Sequence, residues 1–333
     1  SARLEIEAGS GAWLTNSTLP QSEDGTILIT ATAREGADDD AISDVSDTAI
    51  TYHPPVLALG VGCERGCPID DLYDLVTETL AGQCLSVKAI ACVTSIDLKA
   101  DEACVHELAR RLSVPARFFD AQTLEAEADR LVTPSDVVFA ETGCHGVAEG
   151  AALAAVGPNG KLIVPKHKTK RSTCAVALSQ DDISPETVGK AQGKLSIVGI
   201  GPGQTGWRSP EASDLIGRAS DIVGYQMYLD LLGPLIDGKD CHHSDLGAEE
   251  ARARHALELA ATGKDVALIG SGDAGIYALA TLVFELLDRE DRSDWNRVAV
   301  QVSPGISALQ AAASRIGAPL GHDFCAISLS DLL

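Results

Sequence analysis

The feature that most constrains this chain is a pattern that runs twice. Short apolar runs alternate with amphipathic segments from residue 53 to about 177, give way to a polar stretch, and begin again at 194. In the first pass PPVLALGVG (54–62) reads as a buried strand. PIDDLYDLVTETLAG (68–82) reads as a helix, with Leu72, Leu75 and Val76 on one face and Asp70 and Asp71 in its first turn. VKAIACVTSI, ARFFD, DVVFAETG and KLIVPKHK continue as strands. DEACVHELARRLSV, LEAEADRLV and the Ala-rich GVAEGAALAAVG continue as helices. In the second pass KLSIVGIG, ASDIVGY, DVALIG and RVAVQV are strands; residues 210–219, EEARARHALELAATG, IYALATLVFELLD and LQAAASRIG are helices. Alternation of this kind predicts α/β layers, here in two successive domains.

The boundaries follow from composition. Residues 1–52 mix short alternating runs with the acidic stretch ADDDAISDVSD and predict a small β-containing piece. The first α/β unit covers 53–178. LSQDDISPETVGKAQG is polar, holds Pro185, Gly189 and Gly193, and predicts a linker over 179–193. The second unit runs from 194 to 333. The absence of an initiator Met and the abrupt ends predict that the chain is cut from a longer one.

Charge narrows the partners. Lys and Arg number 26 against 48 Asp and Glu, a formal net charge of -22. Such a field repels nucleic acid and anionic membrane surfaces, so neither is expected as a partner. No apolar stretch reaches the roughly 20 residues of a membrane span, and no signal-peptide pattern opens the chain. The nine cysteines form no regular framework, which suits reduced thiols and a cytoplasmic protein. Cys63 and Cys67 make a C-x3-C pair without a matching second pair, so ordinary loop cysteines are preferred to a zinc site. Cys241, His242 and His243 are adjacent and read as a polar turn, because neighbours in sequence rarely point at one ion. No metal is expected.

The loop after the strand KLSIVGIG decides what the second unit holds. Gly201-Pro-Gly203-Gln-Thr-Gly206 satisfies G-x-G-x-x-G, yet Pro210 delays the helix and Asp221 precedes its strand instead of ending it. Both features argue against a dinucleotide. Pro202 also removes an amide that a pyrophosphate would use. Two further strand-end loops, Gly270-Ser-Gly272-Asp273-Ala274-Gly275 and Pro304-Gly305-Ile306-Ser307-Ala308, are equally small-sided. Three such loops on one sheet edge suit a cationic, adenosine-bearing cofactor better than a pyrophosphate.

These residues carry a resemblance. VGIGPG, GSGDAGIYALA, SPGISALQAAASRIGAPLGHDF and AISLSDLL closely resemble the tetrapyrrole (corrin and sirohaem) methyltransferases, and among them the precorrin-3B C17-methyltransferases, over about 194–333. The resemblance implies a two-domain α/β fold with S-adenosylmethionine in the cleft. It implies methyl transfer to C17 with ring contraction, and a homodimer when the chain is full-length. It implies that most of the second domain would follow residue 333. Carried over, the cofactor candidates are Gly201, Pro202, Gly203, Gly272, Asp273, Ala274, Gly275, Ile276, Ser307 and Ala308. A loop cap is the competing role for Asp273.

PPVLALGVGCERG, TSIDLKADE, ETGCHGVAEGAAL and KLIVPKHKTKRSTCAVA resemble the C-terminal domain of the cobalt-precorrin-5A hydrolases, over about 53–178. Residues 1–52 then resemble the end of that family's middle domain. This implies a precorrin or cobalt-precorrin substrate whose lactone is opened. Lactone hydrolysis needs a base and a donor to the developing oxyanion. Glu141 and His145 are candidate bases, the amides of 143–146 candidate donors, and Asp97 and Lys99 candidate catalytic groups at another strand-to-helix turn. Lys166, Lys168, Lys170 and Arg171 are candidate contacts to the substrate carboxylates; a solvated loop is the alternative. A non-catalytic corrinoid-binding or carrier module, and a methyltransferase of other ring-carbon specificity, are the rival readings.

Overall fold

A computed structural model describes residues 1–7, 12–25, 27–35, 48–245, 247–318, 320–321, 323–325 and 327. The acidic stretch 37–47 and nearly all of the terminal block 326–333 lie outside the described residues. The chain forms two compact units, Ser1–Ala191 and Gln192–Leu333.

The first unit opens with a small parallel sheet of β1 (Ala2–Ile6), β2 (Ile27–Ala31) and β3 (Thr48–Tyr52), with a short helix α1 (Ala12–Thr15). It docks by backbone pairing: Ser86 N–H donates to the Ala33 carbonyl at 2.8 Å and Glu35 N–H to that of Cys84 at 2.9 Å. The main sheet has the order β6-β5-β4-β8-β7. Its strands are β4 (Leu57–Cys63), β5 (Ile90–Ile96), β6 (Ala116–Phe119), β7 (Lys161–Lys168) and β8 (Ser172–Leu178). β4, β5 and β6 are parallel; β8 runs antiparallel to β4 and β7.

Helices α2 (Ile69–Gly82) and α3 (Ala103–Arg111) cover one face. Leu72, Val76 and Leu80 meet Leu57, Leu59 and Val61 there. The other face carries α4 (Ala121–Glu125) and α6 (Val147–Val156), while α5 (Asp136–Thr142), which lies between them in sequence, buries none of its residues. The Ala-rich composition of α6 has a steric reason. A Cβ on Gly60 of β4 would lie 1.9 Å from the Ala148 carbonyl oxygen, so helix and strand touch backbone to backbone.

Two expectations change here. DVVFAETG, read as a strand, is the helix α5. Ser135 caps it by accepting from Val138 N–H, Asp136 sits in its first turn, and Gly143 ends it at φ 79°. These end signals outweigh the β-branched pair Val137 and Val138. The segment read as a linker is largely folded onto the first unit. Phe118 and Lys190 exchange both backbone hydrogen bonds, and the Arg117 guanidinium donates to the carbonyls of Glu186, Val188 and Gly189. Ile183 and Val188 are buried. The segment thereby covers the exposed edge of β6, which would otherwise be open to other strands.

The second unit is an all-parallel sheet of order β11-β10-β12-β9-β13. Its strands are β9 (Lys194–Gly199), β10 (Asp221–Tyr225), β11 (Asp240–Ser244), β12 (Asp265–Gly270) and β13 (Ala299–Ser303). Period-two alternation sends Leu195, Ile197, Val266 and Leu268 to one face, against α9 (Glu249–Ala261) and α10 (Leu279–Glu290). Val198, Ile222, Ala267 and Ile269 go to the other, against α7 (Pro210–Arg218) and α8 (Gln226–Asp230). Helix α11 (Ala308–Ile316) follows β13. The order reverses at β9, the start of this domain's chain, and ligands of open α/β sheets gather beyond the strand ends at such a point.

Cys241, His242 and His243, read as a turn, lie in the edge strand β11. Edge strands need little apolar content, which hid this one. His242 serves a buried carboxylate. Asp221 is fully buried and accepts from His242 Nε2, Lys264 Nζ and Ser220 Oγ, each at 2.8 Å. Burial alone would raise its pKa; the three donors prevail and hold it below the ordinary carboxylate value. A depressed folded pKa gives stability that is present above the unfolded value and lost as pH falls through the folded one. Asp221→Asn leaves the Lys264 charge without its counter-ion. It should destabilise the second unit by about 2–4 kcal/mol at neutral pH, with the deficit shrinking below about pH 4. Urea unfolding followed by the fluorescence of the fully buried Trp295 measures both.

Candidate functional site

The first unit holds a cleft of about 850 Å³ at the C-terminal end of β4 and β5. Ile96, Leu98, Val138, Val147 and Ala148 supply its apolar lining. Cations surround it: Arg65, Lys99, Lys166, Lys168, Lys170 and Arg171, against the carboxylates Glu64 and Glu141. KHKTKR is the hairpin joining β7 to β8, closed by Thr169 N–H donating to the Ser172 carbonyl at 2.8 Å. The hairpin is what brings residues near 170 over a floor built near residues 62, 98 and 147.

The cations differ in how far they are already engaged. Arg65 pairs with Asp101 at 2.6 Å. Lys99 lies 3.8 Å from Glu102, and Arg171 lies 3.5 Å from Glu64. Lys166 Nζ donates to the Thr133 carbonyl at 3.1 Å. Lys168 and Lys170 are exposed and form no ion pair among the described residues. They are the charges most available to an incoming anion.

Glu149 positions this wall. It is 2% exposed and sits in the first turn of α6. Its oxygens accept from the backbone N–H of Val132, Thr133 and Lys166 at 2.8, 3.0 and 2.8 Å, and from Thr133 Oγ1 at 2.9 Å. Burial pushes its pKa up, and the four donors more than offset this, so it stays below the usual carboxylate range. The carboxylate thereby fixes Lys166 and the 131–133 loop to one helix end. The signal available in the sequence was an acid standing alone in the otherwise apolar, Ala-rich run GVAEGAALAAVG.

Among the candidate catalytic groups, Lys99 and Glu141 line the cleft and His145 does not. His145 Nδ1 lies 2.8 Å from Glu125 Oε1, its Nε2 3.6 Å from Asp136, and its ring stacks on Phe139 at 4.4 Å. Two of the amides expected as oxyanion donors are committed: Gly143 N–H donates to the Phe139 carbonyl and His145 N–H to Glu125 Oε2. Asp97 opens the short turn 97–99 outside the lining, where its carbonyl accepts from Ala100 N–H.

In the second unit the three glycine loops meet through their backbones. Gly201 and Gly272 exchange N–H···O=C bonds at 3.1 and 2.9 Å. A Cβ on Gly305 would lie 2.1 Å from the Gly272 carbonyl oxygen and 2.7 Å from that of Gly199. Asp273 joins the second loop to the third: Oδ1 accepts from Gly275 N–H at 2.8 Å and Oδ2 from Gly305 N–H at 3.1 Å. Ala274 is fully buried, and Ser307 is buried as the N-cap of α11 in a capping box with Gln310. Pro202, Gly275, Ile276 and Ala308 are exposed, with Gly203 half-buried beside them. The cradle is thus made by main chain, and only part of the candidate set faces out of it.

Comparison with known proteins adds the lineage. Residues 57–177 match the family model "Cobalamin synthesis G C-terminus", and residues 194–332 match "Tetrapyrrole (Corrin/Porphyrin) Methylases". The class is therefore one of tetrapyrrole-pathway domains joined in tandem. Protein CobE of a Sinorhizobium species is 46% identical over 121 residues, 36% of this chain and 79% of that protein. The precorrin-3B C(17)-methyltransferase of a Sinorhizobium species is 43% identical over 141 residues, 42% of this chain and 55% of that one. Cobalamin biosynthesis protein CobIJ of Mycobacterium tuberculosis is 45% identical over 141 residues, 42% of this chain and 27% of that one. The chain belongs to the cobalamin synthesis G C-terminus family through its first unit, and residues 194–332 of its second match the tetrapyrrole methylases. It spans about a quarter of CobIJ and about half of the C17-methyltransferase. No helix among the described residues is long and apolar enough to cross a membrane.

Two substitutions probe the architecture of these sites. Glu149→Ala leaves three part-buried amides without their acceptor, so it should cost about 1–3 kcal/mol in urea unfolding. Gly305→Ala inserts a methyl group where no space exists and should lower stability by about 1–3 kcal/mol, read again through Trp295. An unchanged midpoint for Gly305→Ala would show that the loops part without cost.

Proposed function

We propose that the chain acts in corrin-ring biosynthesis. The second unit is the cofactor half of a precorrin-3B C17-methyltransferase that methylates with ring contraction, and the first unit holds the tetrapyrrole. The observation that carries this reading is the cleft of the first unit, an apolar floor under a cationic hairpin in a chain of net charge -22. A macrocycle edged with carboxylates matches both features: its ring is apolar and its periphery anionic. Lys168 and Lys170 meet carboxylates first, while Lys99, Lys166 and Arg171 act from set positions.

The backbone cradle of the second unit suits S-adenosylmethionine, a cation that needs no lysine or arginine to balance phosphate, held on loops so closely interlocked that a Cβ at Gly305 would strike the Gly272 and Gly199 carbonyls. When bound, that cofactor supplies an electrophilic methyl group on sulfur. Pro202, Gly203, Gly275, Ile276 and Ala308 form the contact surface, with the buried Gly201 bonded to Gly272 beneath them. Gly272, Asp273, Ala274 and Ser307 hold the loops in place behind it. Methyl transfer asks for alignment more than for acid-base help, and these residues supply alignment.

A specific observation favours a second reading for the first unit. With His145 bound to Glu125 and two of the expected oxyanion donors committed, Glu141 and Lys99 are the candidate reactive groups left in the cleft. That set suits holding a corrinoid more directly than opening its lactone.

Absorbance titration with uroporphyrin, a polycarboxylate porphyrin, tests the cleft. Lys168→Ala/Lys170→Ala should raise Kd about tenfold, and added salt should weaken wild-type binding more than the variant's. Equal affinity in the two proteins sinks the assignment. Calorimetry with S-adenosylhomocysteine and with NADH separates the cofactor classes: heat is expected with the first only, and heat with NADH alone overturns the methyltransferase reading.

A further inference from the structure

Beside the cleft lies a group of side chains that the proposed chemistry does not use. Cys63 ends β4 and lines the cleft, half-buried. Cys104, in the first turn of α3, is buried behind it, and the two sulfurs are 3.4 Å apart. No hydrogen bond reaches Glu102 Oε2, a buried carboxylate oxygen at the same helix start. Its nearest cations are Arg65 at 3.5 Å and Lys99 at 3.8 Å. Cys67 is buried nearby, with its thiol pushed up to about 11 by burial.

We propose that Cys63 and Cys104 form an oxidative modification site: a dithiol that low-molecular-weight disulfides convert to a disulfide, with Cys63 as the entry sulfur and Cys104 as the resolving one. Two geometric observations support this order. The sulfurs stand about 1.4 Å further apart than a bonded pair, a gap that a small approach of one strand end to one helix start closes. Only Cys63 of the two faces the cleft, where a small disulfide can reach it. The Cys104 partner raises the Cys63 pKa and the Cys63 hydrogen bond lowers that of Cys104, so Cys104 is the readier thiolate and serves as the base that takes the Cys63 proton. The pair therefore holds a thiolate more readily than an isolated buried thiol does.

The step balances. Cys104, as the thiolate of the pair, takes the Cys63 proton, and the Cys63 thiolate so formed attacks one sulfur of the small disulfide RSSR. A Cys63–S–S–R bond forms, the RS–SR bond breaks, and RS⁻ leaves carrying the electron pair. That thiolate takes the proton from Cys104. The Cys104 thiolate then attacks the Cys63 sulfur, forms the intramolecular disulfide and expels the second RS⁻, which is protonated by water. The protein pair is oxidised by two electrons and one RSSR is reduced to two RSH.

This inference does not rest on the corrinoid reading. The test is to incubate the full chain with excess oxidised glutathione, alkylate remaining thiols, digest, and map every cysteine by mass spectrometry. A peptide joining Cys63 to Cys104, two hydrogens lighter than its parts, is expected, while exposed Cys84 and Cys241 carry glutathione. In Cys104→Ser, Cys63 should retain glutathione as a stable mixed disulfide, with circular dichroism reporting whether that variant is folded. The wild-type map decides the matter even if it is not. Alkylation of both Cys63 and Cys104 in a sample where Cys84 and Cys241 are glutathionylated overturns the proposal, and so does a Cys67–Cys104 link in place of the expected one.

Discussion

Both units depend on backbone meeting backbone without a side chain between. In the first, α6 lies directly on β4 at Gly60; in the second, three loops close on one another at Gly199, Gly272 and Gly305. Close packing of this kind leaves no volume to absorb an added methyl group. It also determines what each site can be. A helix seated that low brings its first turn, with Glu149 and Ala148, to the edge of the cleft. Loops locked by main-chain bonds present a rigid rim of carbonyls, amides and small side chains. Geometry of that sort favours recognition by shape over recognition by charge.

Charge does the opposite work in the first unit. A chain with 48 acids and 26 bases creates a field that repels anions at long range. A cationic hairpin over an apolar floor works only at short range, inside about a Debye length of 8–10 Å. The cleft therefore selects for ligands that bring apolar area along with their carboxylates. Simple anions gain little there, because the surrounding acids oppose them and the floor offers them nothing. Glu149 contributes by being negative but wholly occupied by donors, so it fixes the hairpin base without spending the Lys166 charge in an ion pair.

Much of this was legible in the sequence, for a physical reason. Buried parallel strands are continuous apolar runs, and loops that touch backbone to backbone must be glycine, so VGIGPG and GSGDAG announce themselves. The cationic run 166–171 was legible for the same kind of reason, being the exception in an acidic chain. What escaped was set by tertiary context. α5 hid behind two β-branched valines; its cap Ser135 and terminator Gly143 were the better guides. β11 hid because an edge strand can be polar. The stretch after Leu178 read as a tether because its few apolar residues, Ile183 and Val188, are spaced too irregularly to show a face, yet they bury against β6. His145 looked reactive from its neighbours in sequence, while its partner Glu125 stands twenty positions away and no local pattern reveals it.

The two units therefore divide along a chemical line. The second offers a main-chain rim with few free charges: Arg208, in the first loop, donates to Ser213 Oγ, and Asp273 is consumed by Gly275 and Gly305. The first can offer charges but little catalytic machinery, since its histidine is held away from the cleft and its most buried acid is saturated. Each unit thus provides a class of interaction that the other's architecture lacks.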